Sequence, residues 1–99
     1  MYFDREGNEI PFLQWCMMFE NSDYRVVKQD ILPDGKTIST VWLGLDHSMW
    51  PGGAILIFET MIFNEDHEEI DIERYTTEAQ AIEGHEQMIQ KHLNKAHSN

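Results

Sequence analysis

Tyr24-Arg25-Val26-Val27-Lys28-Gln29-Asp30-Ile31, then Leu32-Pro33-Asp34-Gly35, then Lys36-Thr37-Ile38-Ser39-Thr40-Val41-Trp42-Leu43-Gly44-Leu45 is the stretch whose reading decides the fold. Its two ends are rich in β-branched and aromatic residues, and its middle is a turn. Proline fixes φ at the second turn position and Asp-Gly closes the reversal. Strands joined by so short a reversal run antiparallel. In the first strand Val27 and Ile31 share one face while Tyr24 and Val26 take the other. In the second, Val41, Leu43 and Leu45 alternate with Thr40, Trp42 and Gly44.

Working towards the C-terminus, Asp46-His47-Ser48-Met49-Trp50-Pro51-Gly52-Gly53 reads as an irregular loop before a third strand at 54–63. That strand is apolar on both faces, with Ile55, Ile57, Met61 and Phe63 on one side and Leu56, Phe58 and Ile62 on the other. Such a pattern fits a central strand. Ile70-Asp71-Ile72-Glu73-Arg74-Tyr75 alternates as an edge strand does. Thr77 and Gln80 then form a capping box for a helix whose apolar face reads as Ala79, Ile82, Ile89, Leu93 and Ala96, with Met88 at its edge.

Towards the N-terminus, Tyr2-Phe3-Asp4 reads as a short extended piece entering a turn at Gly7-Asn8, in the role of an edge strand. Pro11 suits the first turn of a helix at about 10–20, with Phe12, Trp15, Cys16 and Phe19 on one face. The fold class is therefore α+β: an antiparallel meander of three to four strands with two helices packed on one face, in the order β-α-β-β-β-β-α. The chain forms a single domain over 1–99, with a polar tail from about 95. Two helices cover only one face of such a sheet, so the other needs a second copy, the 49–50 loop or a partner.

Eighteen acidic residues against seven basic ones leave the 99-residue chain near −11 at pH 7. Six of those acids crowd into nine positions, Glu65-Asp66-His67-Glu68-Glu69-Ile70-Asp71-Ile72-Glu73. A field of this sign repels phosphate backbones and anionic membranes, so no direct nucleic-acid or membrane contact is expected. A partner found electrostatically is basic: a nucleic-acid-binding cleft on another protein, a polyamine or a divalent cation. Eleven aromatics within a 41% hydrophobic composition argue for a packed interior despite the charge. One cysteine, Cys16, permits no intrachain disulfide and fits a reducing compartment. The start of the chain has neither a basic stretch nor a long apolar run, and a cytosolic location is the simplest expectation.

Candidate chemistry is sparse. Cys16 has no activating base in its segment and reads as packing. His47 beside Asp46 is the better acid/base candidate, although turn and hydrogen-bond duty explains the pair as well. His85 and His92 stand seven apart, about 10 Å along a helix, and His97 falls five further on, so the trio lacks the spacing of helical metal ligands. The acidic run lacks the glycine and oxygen spacing of a calcium loop. Neither Gly44 nor Gly52-Gly53 precedes a capped helix as a phosphate cradle would. No metal and no cofactor is expected. If the second strand turns its Trp42 face away from the helices, Tyr24, Trp42, Met49 and Trp50 form an exposed aromatic patch beside acidic neighbours, a composition typical of interfaces.

Four blocks carry a resemblance: Met1-Tyr2-Phe3-Asp4-Arg5-Glu6-Gly7, Thr40-Val41-Trp42-Leu43-Gly44-Leu45-Asp46-His47, Leu56-Ile57-Phe58-Glu59-Thr60-Met61-Ile62-Phe63, and Arg74-Tyr75-Thr76-Thr77-Glu78-Ala79-Gln80-Ala81-Ile82-Glu83-Gly84-His85-Glu86. Taken in this order they resemble a family of small, mostly uncharacterised accessory proteins of tailed bacteriophages and prophages. The resemblance implies an accessory protein made in a bacterial cytoplasm and brings no catalytic residue with it. The insert at 65–69 is richer in acid here than in the family pattern. Acidic phage accessory proteins include inhibitors of host or defence proteins, some of which mimic the charge of DNA.

The expectation is thus a non-enzymatic binding protein that inhibits a host or anti-phage defence protein at a basic, nucleic-acid-binding surface. Its partner-binding residues are Tyr24, Trp42, Asp46, His47, Met49, Trp50, Glu65, Asp66, Glu68, Glu69, Asp71 and Glu73. The alternatives are a small enzyme or ligand-binding domain using Asp46, His47 and the Trp50 loop, or a virion or assembly component. A homodimer with its acidic hairpins pointing apart is expected as well.

Overall fold

The computed structural model describes residues 1–47 and 52–97, with side chains followed as far as Leu93 in the last helix. The chain is α+β. Strands β1 (Tyr2–Phe3) and β2 (Glu9–Ile10) are followed by helices α1 (Phe12–Glu20) and α2 (Ser22–Arg25). Strands β3 (Val26–Ile31), β4 (Thr37–Trp42), β5 (Phe58–Phe63) and β6 (Glu69–Tyr75) come next, and helix α3 (Glu78–His97) closes the order. The sheet of β3-β4-β5-β6 is antiparallel throughout, in sequence order. No helix of the described residues is long and apolar enough to cross a membrane.

The central hairpin forms as its turn residues dictate. Gly35 takes φ 91°, the Leu32 carbonyl accepts from the Gly35 amide at 2.9 Å, and Ile31 pairs with Thr37. Elsewhere the structure departs from the sequence reading. The first extended piece is no edge of the main sheet: β1 pairs with β2 in a two-stranded sheet of its own and meets the rest through a bridge from Tyr2 to Leu45. The third strand begins at Phe58, not 54, although Ile57 is already buried beside it. Register shifts interrupt β3 between Val26 and Lys28, and the β5–β6 pairing between Ile62 and Phe63.

The sheet faces settle where the core lies. Ile38, Thr40 and Trp42 of β4 and Phe58, Thr60 and Ile62 of β5 are enclosed beneath α3, whose Ala81, His85, Met88 and His92 face them. Trp42 is therefore not exposed. It lies on the helix side with no accessible surface, its Nε1 donating to the Phe3 carbonyl at 3.0 Å. The opposite face carries Val41, Glu59, Met61, Phe63 and Ile72, and no described helix packs on it.

The last helix is also rotated from its sequence reading. Ala79 and Ile82 are exposed, whereas Ala81, Gly84, His85, Met88 and His92 are buried. Two histidines and a glycine disguise the inward stripe. The capping box stands as read: Thr77 Oγ1 accepts from the Gln80 amide at 3.1 Å, and Gln80 Oε1 from the Thr77 amide at 3.2 Å. At the first helix, Trp15, Met18 and Phe19 pack inward, but Phe12 is half exposed and no residue of α1 is buried.

Candidate functional site

The acidic segment is a defined turn between β5 and β6. Asn64 organises it: its Oδ1 accepts from the amides of Asp66 at 2.9 Å and Glu68 at 3.0 Å, and its backbone amide donates to the Glu68 carbonyl at 3.0 Å. His67 takes the left-handed conformation at φ 63° that so tight a reversal needs. Glu65, Asp66, Glu68 and Glu69 are exposed around this scaffold. Glu65 leans back over the neighbouring hairpin, where a Cβ at Gly35 would stand 2.6 Å from its Cγ. The tips of the two hairpins are thus in contact, and Asp34, paired with Lys36, lies in the same turn as Gly35.

Negative charge is left over at this end because most of the basic residues are engaged with carboxylates outside the turn. Of the seven Lys and Arg, Arg5, Lys28, Lys36, Arg74 and Lys91 each pair with a carboxylate: Glu78, Glu86, Asp34, Glu59 and Asp71. Glu65, Asp66, Glu68, Glu69 and Glu73 form no ion pair among the described residues. Asp71 differs from them. Its Oδ2 accepts from Lys91 Nζ at 2.8 Å and lies 3.0 Å from His92 Nε2, and those two donors, Lys91 first, pull its carboxyl down to about 2. Asp71 thus belongs to the β6–α3 junction, which removes it from the free acidic surface expected of the whole 65–73 run.

The expected aromatic half of the surface does not assemble. Trp42 is enclosed, and Tyr24 is half-buried with its ring edge-on to Trp42 at 4.9 Å and its hydroxyl accepting from the Arg5 amide at 2.8 Å. The cause is the face taken by β4: a strand that buries Ile38 must also bury Thr40 and Trp42. Met49 and Trp50 lie outside the described residues. Asp46 and His47 perform loop duties. Asp46 Oδ1 accepts from the Leu56 amide at 2.9 Å, and His47 Nδ1 lies 2.6 Å from the Leu45 carbonyl.

One polar constellation escaped the sequence reading. His85, with no accessible surface, has Nε2 at 2.7 Å from Asp30 Oδ2 and Nδ1 at 2.6 Å from Thr40 Oγ1, which in turn is 2.5 Å from Thr60 Oγ1. With Nε2–H donating to Asp30, Nδ1 accepts from Thr40 and Thr40 accepts from Thr60, so each group finds a partner. The order carboxylate, imidazole, hydroxyl is that of a nucleophile relay. Thr40 is fully enclosed beneath α3, however, and no substrate reaches its hydroxyl. The constellation ties the helix to the sheet. Its signal was present in the sequence: Thr40 and Thr60 interrupt the inward stripes Ile38-Trp42 and Phe58-Ile62, and buried hydroxyls require partners.

An open groove of about 370 Å³ runs between β6 and α3, lined by residues that include Arg74, Tyr75, Gln80 and Glu83. Burial pushes the Tyr75 phenol up, and its ring lies across Gly84. Neither Asp46 nor His47 lines this groove. No group of three or more His, Cys, Asp or Glu with the geometry to hold a metal ion occurs among the described residues. Comparison with family models, curated proteins and solved structures gives no match for this chain.

Proposed function

We propose that this protein acts by binding, presenting the acidic β5–β6 turn to a basic surface on another protein. The observation that carries this reading is the separation of charge: the described Lys and Arg pairs lie away from the turn or at its margin, while Glu65, Asp66, Glu68 and Glu69 form no ion pair among the described residues, on a turn preorganised by Asn64. Preorganised, unneutralised charge steers association and confers selectivity for an oppositely charged site. In this reading the chain is a phage-type accessory protein of a bacterial cytoplasm. Its target is a host or defence protein, engaged at the surface that would otherwise hold nucleic acid, and its working form is a homodimer.

The test is capture from bacterial lysate at low salt. Wild type is expected to retain a nucleic-acid-binding or defence protein and to release it as salt rises. The variant with Glu65→Gln, Asp66→Asn, Glu68→Gln and Glu69→Gln, with an unchanged far-ultraviolet spectrum, is expected to retain none. Equal retention by the two proteins, or no basic protein captured by either, overturns the proposal.

A further inference from the structure

We propose that the outward face of α1 is the contact through which two copies of this chain pair, their helices antiparallel across a two-fold axis. The first reason is apolar exposure. Inward, α1 applies Trp15, Met18 and Phe19 to the core. Outward, it leaves Leu13 74% and Met17 75% exposed, one turn apart, with Phe12 52% exposed beside them. A helix that is apolar on both sides is ordinarily buried on both.

The second reason is charge. Glu20 is the only charged residue in α1, and it stands in the last turn, where the helix dipole is negative; the first turn has neither an acidic residue nor a side-chain cap. Arg25 offsets the C-terminal end, its guanidinium donating to the Phe19 carbonyl at 2.6 Å, but nothing negative on α1 stands at its positive end. An antiparallel neighbour reverses this, since each Glu20 then reaches the uncapped, positive N-terminus of the other helix. Leu13, Cys16, Met17 and Glu20 follow one another at helical spacing along this side. The midpoint between Leu13 and Glu20 sets the two-fold axis beside Cys16 and Met17, so that Met17 of each copy meets Cys16 of the other across the axis and each Leu13 lies one turn along, beside the partner's Glu20.

The third reason is placement. α1 adjoins Trp42 through Phe19, at the opposite end of β4 from Thr37, whereas the acidic turn lies beyond Phe63, which pairs with Thr37. In a molecule 48 Å long, pairing through α1 leaves the two acidic turns at the far ends of the dimer. The helix-free face of the sheet is a weaker candidate. It mixes Gln29, Thr37, Ser39 and the Glu59–Arg74 pair among its apolar residues, as a solvated antiparallel face does. The inference holds whatever the acidic turn binds.

The test is sedimentation of the full chain from micromolar to submillimolar concentration in about 0.3 M salt, which screens the repulsion between copies. A concentration-dependent monomer–dimer equilibrium is expected, and Leu13→Glu and Met17→Glu should each be monomeric throughout, with the melting temperature of the dissociated wild type. Glu20→Lys is the sharper probe. It lowers the net charge from −11 to −9 and so by repulsion alone favours association, yet the proposal requires the dimer to weaken, by about five-fold or more. Cys16, the single cysteine, allows a check with no substitution: a short bis-maleimide should link two wild-type chains. A wild-type monomer at every concentration overturns the inference. So does a dimer that survives both glutamate substitutions but is lost in Met61→Glu, or one that Glu20→Lys tightens.

Discussion

His85 Nε2 lies 2.7 Å from Asp30 Oδ2, joining a fully enclosed residue in the middle of α3 to an outermost strand of the sheet. A second histidine on the same helix does the same at the opposite edge, where His92 Nε2 lies 3.0 Å from Asp71 Oδ2 on β6. The helix is therefore tied across the whole width of the sheet by two imidazole–carboxylate contacts seven residues apart.

His85→Ala is expected to lower stability by about 3 kcal/mol, because it opens a cavity and strips a partner from the buried Thr40 hydroxyl. Asp30→Ala should cost less, about 1 kcal/mol, since water replaces the lost partner at the partly exposed end. Urea unfolding of the two variants checks the order.

The Asp71 carboxyl sits at about 2, below its ordinary 3.8, so the folded state holds the charged form more tightly than the unfolded chain does. The resulting stability is fully present above pH 4 and is lost as pH falls towards 2. It amounts to about 1–2 kcal/mol after allowance for the exposure of Lys91. Asp71→Asn should be less stable by that amount at neutral pH and should lose less on acidification, as thermal melts between pH 5 and 2 would show.

Alanine in place of glycine inside a helix ordinarily stabilises by up to about 1 kcal/mol. At Gly84 the sign should invert, because the new Cβ would stand 2.2 Å from Tyr75 Cε1. Overpacking against an aromatic ring wedged between β6 and α3 costs about 1–3 kcal/mol, so Gly84→Ala should melt lower than wild type. Combining it with Tyr75→Ala, which empties the space, should give a loss smaller than the sum of the two single losses.

The central hairpin was legible because Pro33, Asp34 and Gly35 leave the backbone few alternatives, and the start of α3 because Thr77 and Gln80 form a local motif. The inward face of β4 was not. Alternation separates Val41, Leu43 and Leu45 from Thr40, Trp42 and Gly44, but it does not say which set faces the helix. A threonine at the centre of the buried set points the wrong way until its partner on α3 is known. The same partner hid the inward stripe of α3, where His85 and His92 occupy positions that a hydrophobicity pattern assigns to solvent. The acidic turn was legible as charge, whereas the removal of Asp71 from it depends on Lys91 and His92, some twenty residues away.

The irregular edges of the sheet are unfavourable to fibril growth. β3 and β6 are the strands with unpaired outer backbone, and the register breaks near Val26 and at the start of β6 both fall on them. Lys28 and Asp30 on one, and Glu69, Asp71 and Glu73 on the other, surround that backbone with charge. A bulged, charged edge is a poor template for a further strand. Stacking of sheets edge to edge is thereby discouraged in a protein that, among the described residues, leaves one sheet face without a helix.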